Sequence, residues 1–143
     1  KIVRSFEVSP DGSFLLINGI AGYLHLLAVK TKELIGSMKI NGRVAASTFS
    51  SDSKKVYTSS GDGEVYVWDV NSRKCLNRFV DEGSLYGLSI ATSRNGQYVA
   101  CGCYFSDLQS YYRNLGNCFR KNERSSQIGS SSFLYSIFKL PSH

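Results

Sequence analysis

Hydrophobic and polar residues alternate along this chain in short runs separated by polar joints. In "SSGDGEVYVWDVNSRKCL", residues 59–76, an extended backbone puts Val65, Val67 and Asp69 on one side and Tyr66, Trp68 and Val70 on the other. β-branched and aromatic residues dominate that run, so it predicts a strand. Gly61, Asp62 and Gly63 ahead of it predict a tight turn, because Gly tolerates positive φ and Asp can bond its own backbone. Asn71, Ser72, Arg73 and Lys74 form a polar, turn-like joint, and Cys75-Leu76 opens the next apolar run. The order turn, strand, turn, strand predicts an antiparallel meander.

The pattern repeats. "VSPDGSFLLINGIAGYLHLLAVKTKELIGSM", from Val8, lies without a gap over "FSSDSKKVYTSSGDGEVYVWDVNSRKCLNRF", from Phe49, at a period of 41 residues. Asp11 then matches Asp52, Gly22 matches Gly63, Leu24 matches Val65, Leu26 matches Val67 and Val29 matches Val70, while Leu27 takes the place of Trp68. A third copy opens 43 residues beyond the second at "TSRNGQYVACGC", where Asn95-Gly96 matches Asp11-Gly12 and Tyr98 matches Phe14.

A period near 40 to 45, four short strands per unit and a terminal Trp-Asp pair make the WD-repeat signature. On "SPDG" and "SGDGEVYVWD" together, the chain resembles that family from about Ile2 to Cys103. The resemblance implies an all-β fold, a partial β-propeller of two blades plus half of a third. It implies structural roles for Asp11, Gly12, Asp52, Asp62, Gly63, Trp68, Asp69, Asn95 and Gly96. Asp62 is expected to accept hydrogen bonds that hold its blade together, with Trp68 packed beside it. The family often carries a Gly-His pair before a blade's first strand. Lys39-Ile40 and Glu82-Gly83 stand there instead, so the full hydrogen-bonded tetrad is not expected to form. His25 falls in the third strand of the first unit and reads as a strand residue, not a ligand.

After Cys103 the pattern breaks. Residues 104–143 carry eight Tyr or Phe and nine Ser, with no repeat match and no clean strand alternation. The expected organisation is therefore a partial propeller over 1–103 and an irregular, poorly ordered tail over 104–143. "GSSS" at 129–132 reads as linker; "FLYSIFKL" at 133–140 is a short apolar run able to pair with an edge. The chain begins at Lys1 and reads as a piece of something longer.

Composition adds little chemistry. The formal charge is +6 over 143 residues. Half of it lies before residue 104, too thin a surplus for a surface that tracks phosphates. The basic-aromatic mix "YYRNLGNCFRKNER" is compatible in principle with stacking on single-stranded nucleic acid. Cys75, Cys101, Cys103 and Cys118 show no Cys-x-x-Cys spacing and read as reduced thiols, not as a zinc site. There is no Gly-x-Ser-x-Gly elbow and no phosphate-cradling loop, so no enzyme activity, cofactor or metal is expected. No run of about 18 apolar residues suggests a membrane span.

A narrower likeness rests on "GIAGYLHLL", "NGRVAASTFS" and "DEGSLYGLSIATS". Over about residues 4 to 102 these stretches closely resemble a family of nucleolar WD-repeat proteins associated with the U-three small nucleolar RNA. That resemblance implies a noncatalytic scaffold of the small-subunit processome in the nucleolus of the nucleus. Its partners there would be other WD-repeat proteins, with the U-three small nucleolar ribonucleoprotein and pre-ribosomal RNA reached indirectly. The competing reading is a WD-repeat adaptor in another complex, such as a ubiquitin ligase.

Overall fold

The structure, a computed structural model, describes residues 3–19, 21–61, 63–79, 84–105 and 133–140. All regular structure in them is strand. β1 (Val3–Val8), β2 (Phe14–Gly19), β3 (Tyr23–Ala28) and β4 (Leu34–Lys39) form one antiparallel meander. A second consists of β5 (Val44–Phe49), β6 (Lys55–Ser60), β7 (Val65–Asp69) and β8 (Cys75–Phe79). β9 (Ser84–Thr92), β10 (Tyr98–Phe105) and β11 (Phe133–Lys139) make the third sheet, in the order β11-β10-β9. This is a partial WD-repeat propeller.

The sequence period is written into the backbone. Register shifts fall between Val3 and Ser5 in the first sheet and between Val44 and Ala46 in the second, one period apart. A second pair falls at Leu26/Leu27 and Val67/Trp68. Positive φ recurs at Gly12 (77°), Ser53 (62°) and Gly96 (73°), in the turn after each sheet's first strand, and at Lys32 (63°) and Arg73 (59°) in the turn after the third strand. Gly22 and Gly63 take φ of 75° and 87° in the turn between second and third strands. At Gly22 glycine is required twice over: a methyl group would also run into the backbone carbonyls of Gly42 and Ile40, the latter at 2.9 Å.

The sheets stack face to face, and the second is buried on both faces. Tyr66, Trp68 and Val70 join Val56 in a cluster with Leu16, Leu24, Leu26 and Met38 of the first sheet. Val65 and Val67 join Tyr57 in a second cluster with Val99, Cys101 and Leu140 of the third. The alternation read in residues 65–70 thus separates two interfaces, not core from solvent. By contrast Phe6 and Val8 on β1 remain exposed.

Within the tail, the apolar run that the sequence marks as able to pair with an edge does so: Phe133–Lys139 is a strand that pairs antiparallel with β10 from Tyr98↔Lys139 to Tyr104↔Phe133. The register is that of the second sheet: Tyr98↔Lys139 and Val99↔Phe138 correspond to Lys55↔Asp69 and Val56↔Trp68. Leu140 N–H donates to the Gln97 carbonyl, as Val70 does to Lys54 and Val29 to Ser13. Leu140 is also buried like Val70. β11 therefore occupies the third-strand place of the third sheet. Residues 106–132 and 141–143 of the tail lie outside the described residues.

If this strand belongs to the cooperative fold, Leu140→Ala should lower stability by about 2–5 kcal/mol. Denaturant titration of the 143-residue chain would read it as a lower midpoint. An unchanged midpoint would show that β11 does not contribute.

Candidate functional site: the network that holds the blades

β7 carries the residues that the repeat pattern marks. Its aromatic side faces the first sheet, and an indole N–H buried there needs an acceptor. Trp68 Nε1–H donates to Thr58 Oγ1 at 3.1 Å, in a buried hydrogen bond between adjacent strands. Tyr66 stacks on Trp68, with ring centroids 5.8 Å apart. The Tyr66 hydroxyl donates to Glu64 Oε2 at 2.6 Å, and Arg78 Nε–H donates to the same oxygen at 2.7 Å. Arg78 also pairs with Glu64 Oε1 and lies 5.5 Å from the Tyr66 ring centre. A continuous line thus runs from an exposed guanidinium on β8 to a buried hydroxyl on β6. Arg78, and then the Tyr66 hydroxyl, hold the Glu64 carboxyl below the ordinary glutamate value against the opposing effect of burial.

A second motif appears three times, in the turn after each sheet's first strand. Ser9 Oγ–H donates to Asp11 Oδ1 at 2.7 Å, Ser13 N–H donates to the same oxygen at 2.9 Å, and Phe14 N–H donates back to Ser9 Oγ at 2.9 Å. Ser50, Asp52, Lys54 and Lys55 repeat the arrangement in the second sheet. Ser93, Asn95, Gln97 and Tyr98 repeat it in the third. Each side-chain oxygen replaces backbone bonds that a tight turn leaves unmade. The turns also reach one another: Asp11 N–H donates to Ser53 Oγ at 3.1 Å, and Ser51 Oγ–H donates to the Arg94 carbonyl at 2.8 Å. Asp69 does the same work in the turn after β7, accepting from Ser72 N–H and Ser72 Oγ–H, both at 2.8 Å. Hydrogen bonds, chiefly from Ser13 N–H, Ser50 Oγ–H and Ser72 N–H, lower the carboxyls of Asp11, Asp52 and Asp69 respectively below the ordinary aspartate value.

The expected site residues therefore do not converge on one centre. Asp11, Asp52 and Asn95, with Gly12 and Gly96, sit in separate turns at one end of the sheets. Trp68 lies in the first interface and Asp69 at the end of its strand. Gly63, buried, bonds through its N–H to the Ser60 carbonyl at 3.1 Å. Asp62 lies outside the described residues. His25 stacks on Tyr23 and bonds the Ser37 hydroxyl at 2.7 Å, a strand residue in the third strand of its sheet. Sequence reasoning missed Thr58 as the partner of Trp68. The available signal was Thr58-Ser59-Ser60, a polar run in a strand flanked by apolar ones. It also missed Asn18, whose buried amide nitrogen donates to Ser5 Oγ and Ser47 Oγ, both at 2.8 Å, joining the first two sheets. Among the described residues no three His, Cys, Asp or Glu side chains come together as a metal-binding group. No helix among them is long and apolar enough to cross a membrane.

The WD domain, G-beta repeat family model matches residues 31–69, from the turn before β4 through Asp69. U3 small nucleolar RNA-associated protein 18 homolog of Homo sapiens is 98% identical over 121 residues, or 85% of this chain and 21% of the relative. This is a WD-repeat chain resembling that protein. The Mus musculus homolog is 81% identical over 121 residues, covering 85% of the chain and 22% of the relative. The Arabidopsis thaliana homolog is 44% identical over 123 residues, covering 86% of the chain and 21% of the relative. The chain spans about a fifth of the length of these curated relatives. The matched stretch is longer than the span 4–102 on which the sequence likeness rested.

Thr58→Val tests the buried bond of the WD repeat. It keeps the side chain's shape but leaves the Trp68 N–H without an acceptor, and should cost about 1–3 kcal/mol. Adding Trp68→Phe removes the orphaned donor. A double-mutant cycle in urea should then show the two changes to be strongly non-additive; simple additivity would mean that the bond contributes nothing.

The Glu64 network has a pH signature. Its carboxyl is lowered in the fold, so its stabilisation is fully present above the unfolded glutamate value of 4.5. It is lost as pH falls through the lower folded value. Glu64→Gln should therefore destabilise at neutral pH, and the gap to the parent chain should close on acidification. Heat denaturation across the acid range would show this; a gap constant with pH would contradict it.

Proposed function

We propose that this chain is a noncatalytic scaffold segment of a ribosome-biogenesis particle, the small-subunit processome, in the nucleolus. The observation that carries the reading is the 98% identity over 121 residues to a protein named for its association with the U3 small nucleolar RNA. The fate of the polar side chains supports a structural role. Asp11, Asp52 and Asp69 are each committed to hydrogen bonds within their own turns, and Glu64 to Arg78 within its own sheet. The indole of Trp68 is likewise taken up by Thr58. In this reading the chain contacts other WD-repeat proteins of the particle. The U3 ribonucleoprotein and pre-ribosomal RNA are reached through them.

Affinity capture from nuclear extract with the tagged 143-residue chain tests the reading. Expected is co-purification of U3 RNA together with WD-repeat processome proteins, with the RNA lost when those proteins are stripped by salt. Recovery of ubiquitin-ligase subunits without U3 RNA would replace the proposal by the adaptor reading.

A further inference from the structure

The modest net charge conceals a segregation. The turns at 9–13, 29–33, 50–54, 70–74 and 93–97 all lie at one end of the sheets, because every antiparallel meander returns its first-second and third-fourth connections to the same side. The bonds from Val29 to Ser13 and from Val70 to Lys54 tie these turns into one surface within each sheet, and those from Asp11 to Ser53 and from Ser51 to Arg94 tie them between sheets. Six cations lie in these turns, Lys30, Lys32, Lys54, Arg73, Lys74 and Arg94, and Lys55 follows at the start of β6. Of the six, all but the half-buried Arg73 are exposed. Lys32 and Arg73 are repeat equivalents, held on the same left-handed backbone in consecutive sheets. Three of the four carboxylates at this end, those of Asp11, Asp52 and Asp69, are occupied by their own turns. The ion pair between Arg78 and Glu64 belongs to the opposite half of the second sheet.

We infer that this turn surface docks an acidic segment of a partner protein. Charge complementarity selects the class of ligand, and the fixed carboxylates narrow it. A nucleic-acid backbone carries a negative charge at every nucleotide and would have to pass Asp11, Asp52 and Asp69, which are pinned among the cations. An acidic polypeptide can space its carboxylates to meet Lys and Arg and leave those positions unopposed. Exposed cations of this kind act mainly by steering encounter and fixing register, so the interaction is salt-sensitive. The inference does not rest on the assembly proposed above, because its test uses the purified chain alone.

The probes are a fluorescent Glu-rich peptide and a single-stranded RNA of equal net charge, titrated by anisotropy at two salt concentrations. The variant combines Lys30→Glu, Lys32→Glu, Lys74→Glu and Arg94→Glu; a milder set replaces the same four by Gln. The control is Arg43→Glu, in the loop at the other end. Heat denaturation checks that each remains folded. Expected is peptide binding weakened about ten-fold or more by the Glu set, less by the Gln set and within about two-fold by the control, as for electrostatic docking. The peptide should bind tighter than the RNA. No peptide binding at low salt, binding indifferent to both sets, or RNA bound as tightly as peptide would each overturn the inference.

Discussion

Burial of the second sheet on both faces is the constraint on which the rest of this structure depends. A meander pleats its side chains alternately, so a sheet wedged between two others must be apolar on both sides while its backbone ladder stays intact. Val65 and Val67 serve one interface, Tyr66, Trp68 and Val70 the other. The polar groups inside this stack then need partners; Thr58 with Trp68, and the Asn18 amide nitrogen with Ser5 and Ser47, meet that need across strands and across sheets, while among the described residues Asn18 Oδ1 and Ser59 Oγ have no partner. An unmet buried donor costs far more than a met one gains, so these bonds specify the stacking geometry more than they strengthen it.

The turns set a complementary condition. Asp11, Asp52 and Asn95 fix the hairpins that begin each sheet, and their neighbours Gly12, Ser53 and Gly96 adopt the left-handed backbone. Ser53 does so without being glycine, at some cost in strain. Its hydroxyl accepts the Asp11 N–H of the first sheet, which is a bond a glycine could not make. Here a local backbone preference yields to a contact between sheets.

Much of the fold was legible because a strand-and-turn repeat writes itself at fixed spacing. The match of Asp11 to Asp52, Gly22 to Gly63 and Leu26 to Val67 predicted equivalent places, and the structure puts them in equivalent turns and strands. Thr58 was not legible, because its bond to Trp68 is diagonal: the register pairs Thr58 with Tyr66 and Trp68 with Val56. Spacing along one strand does not reveal such neighbours. β11 was legible only as an apolar run able to pair with an edge, for another reason. It borrows its register from β10 and its anchor from Leu140, while its own sequence lacks the alternation by which a strand is recognised.

The matched repeat, residues 31–69, does not coincide with a sheet. It holds the last strand of the first sheet and the first three of the second. The unit of heredity and the unit of folding are thus out of phase by one strand. Excising residues 31–69 would set β8 directly behind β3 and leave one complete four-stranded meander; duplicating them would insert another. In a chain built this way a genetic gain or loss of one unit changes the size of the arc while every sheet stays whole, and each added unit arrives already covalently clasped to the sheet before it.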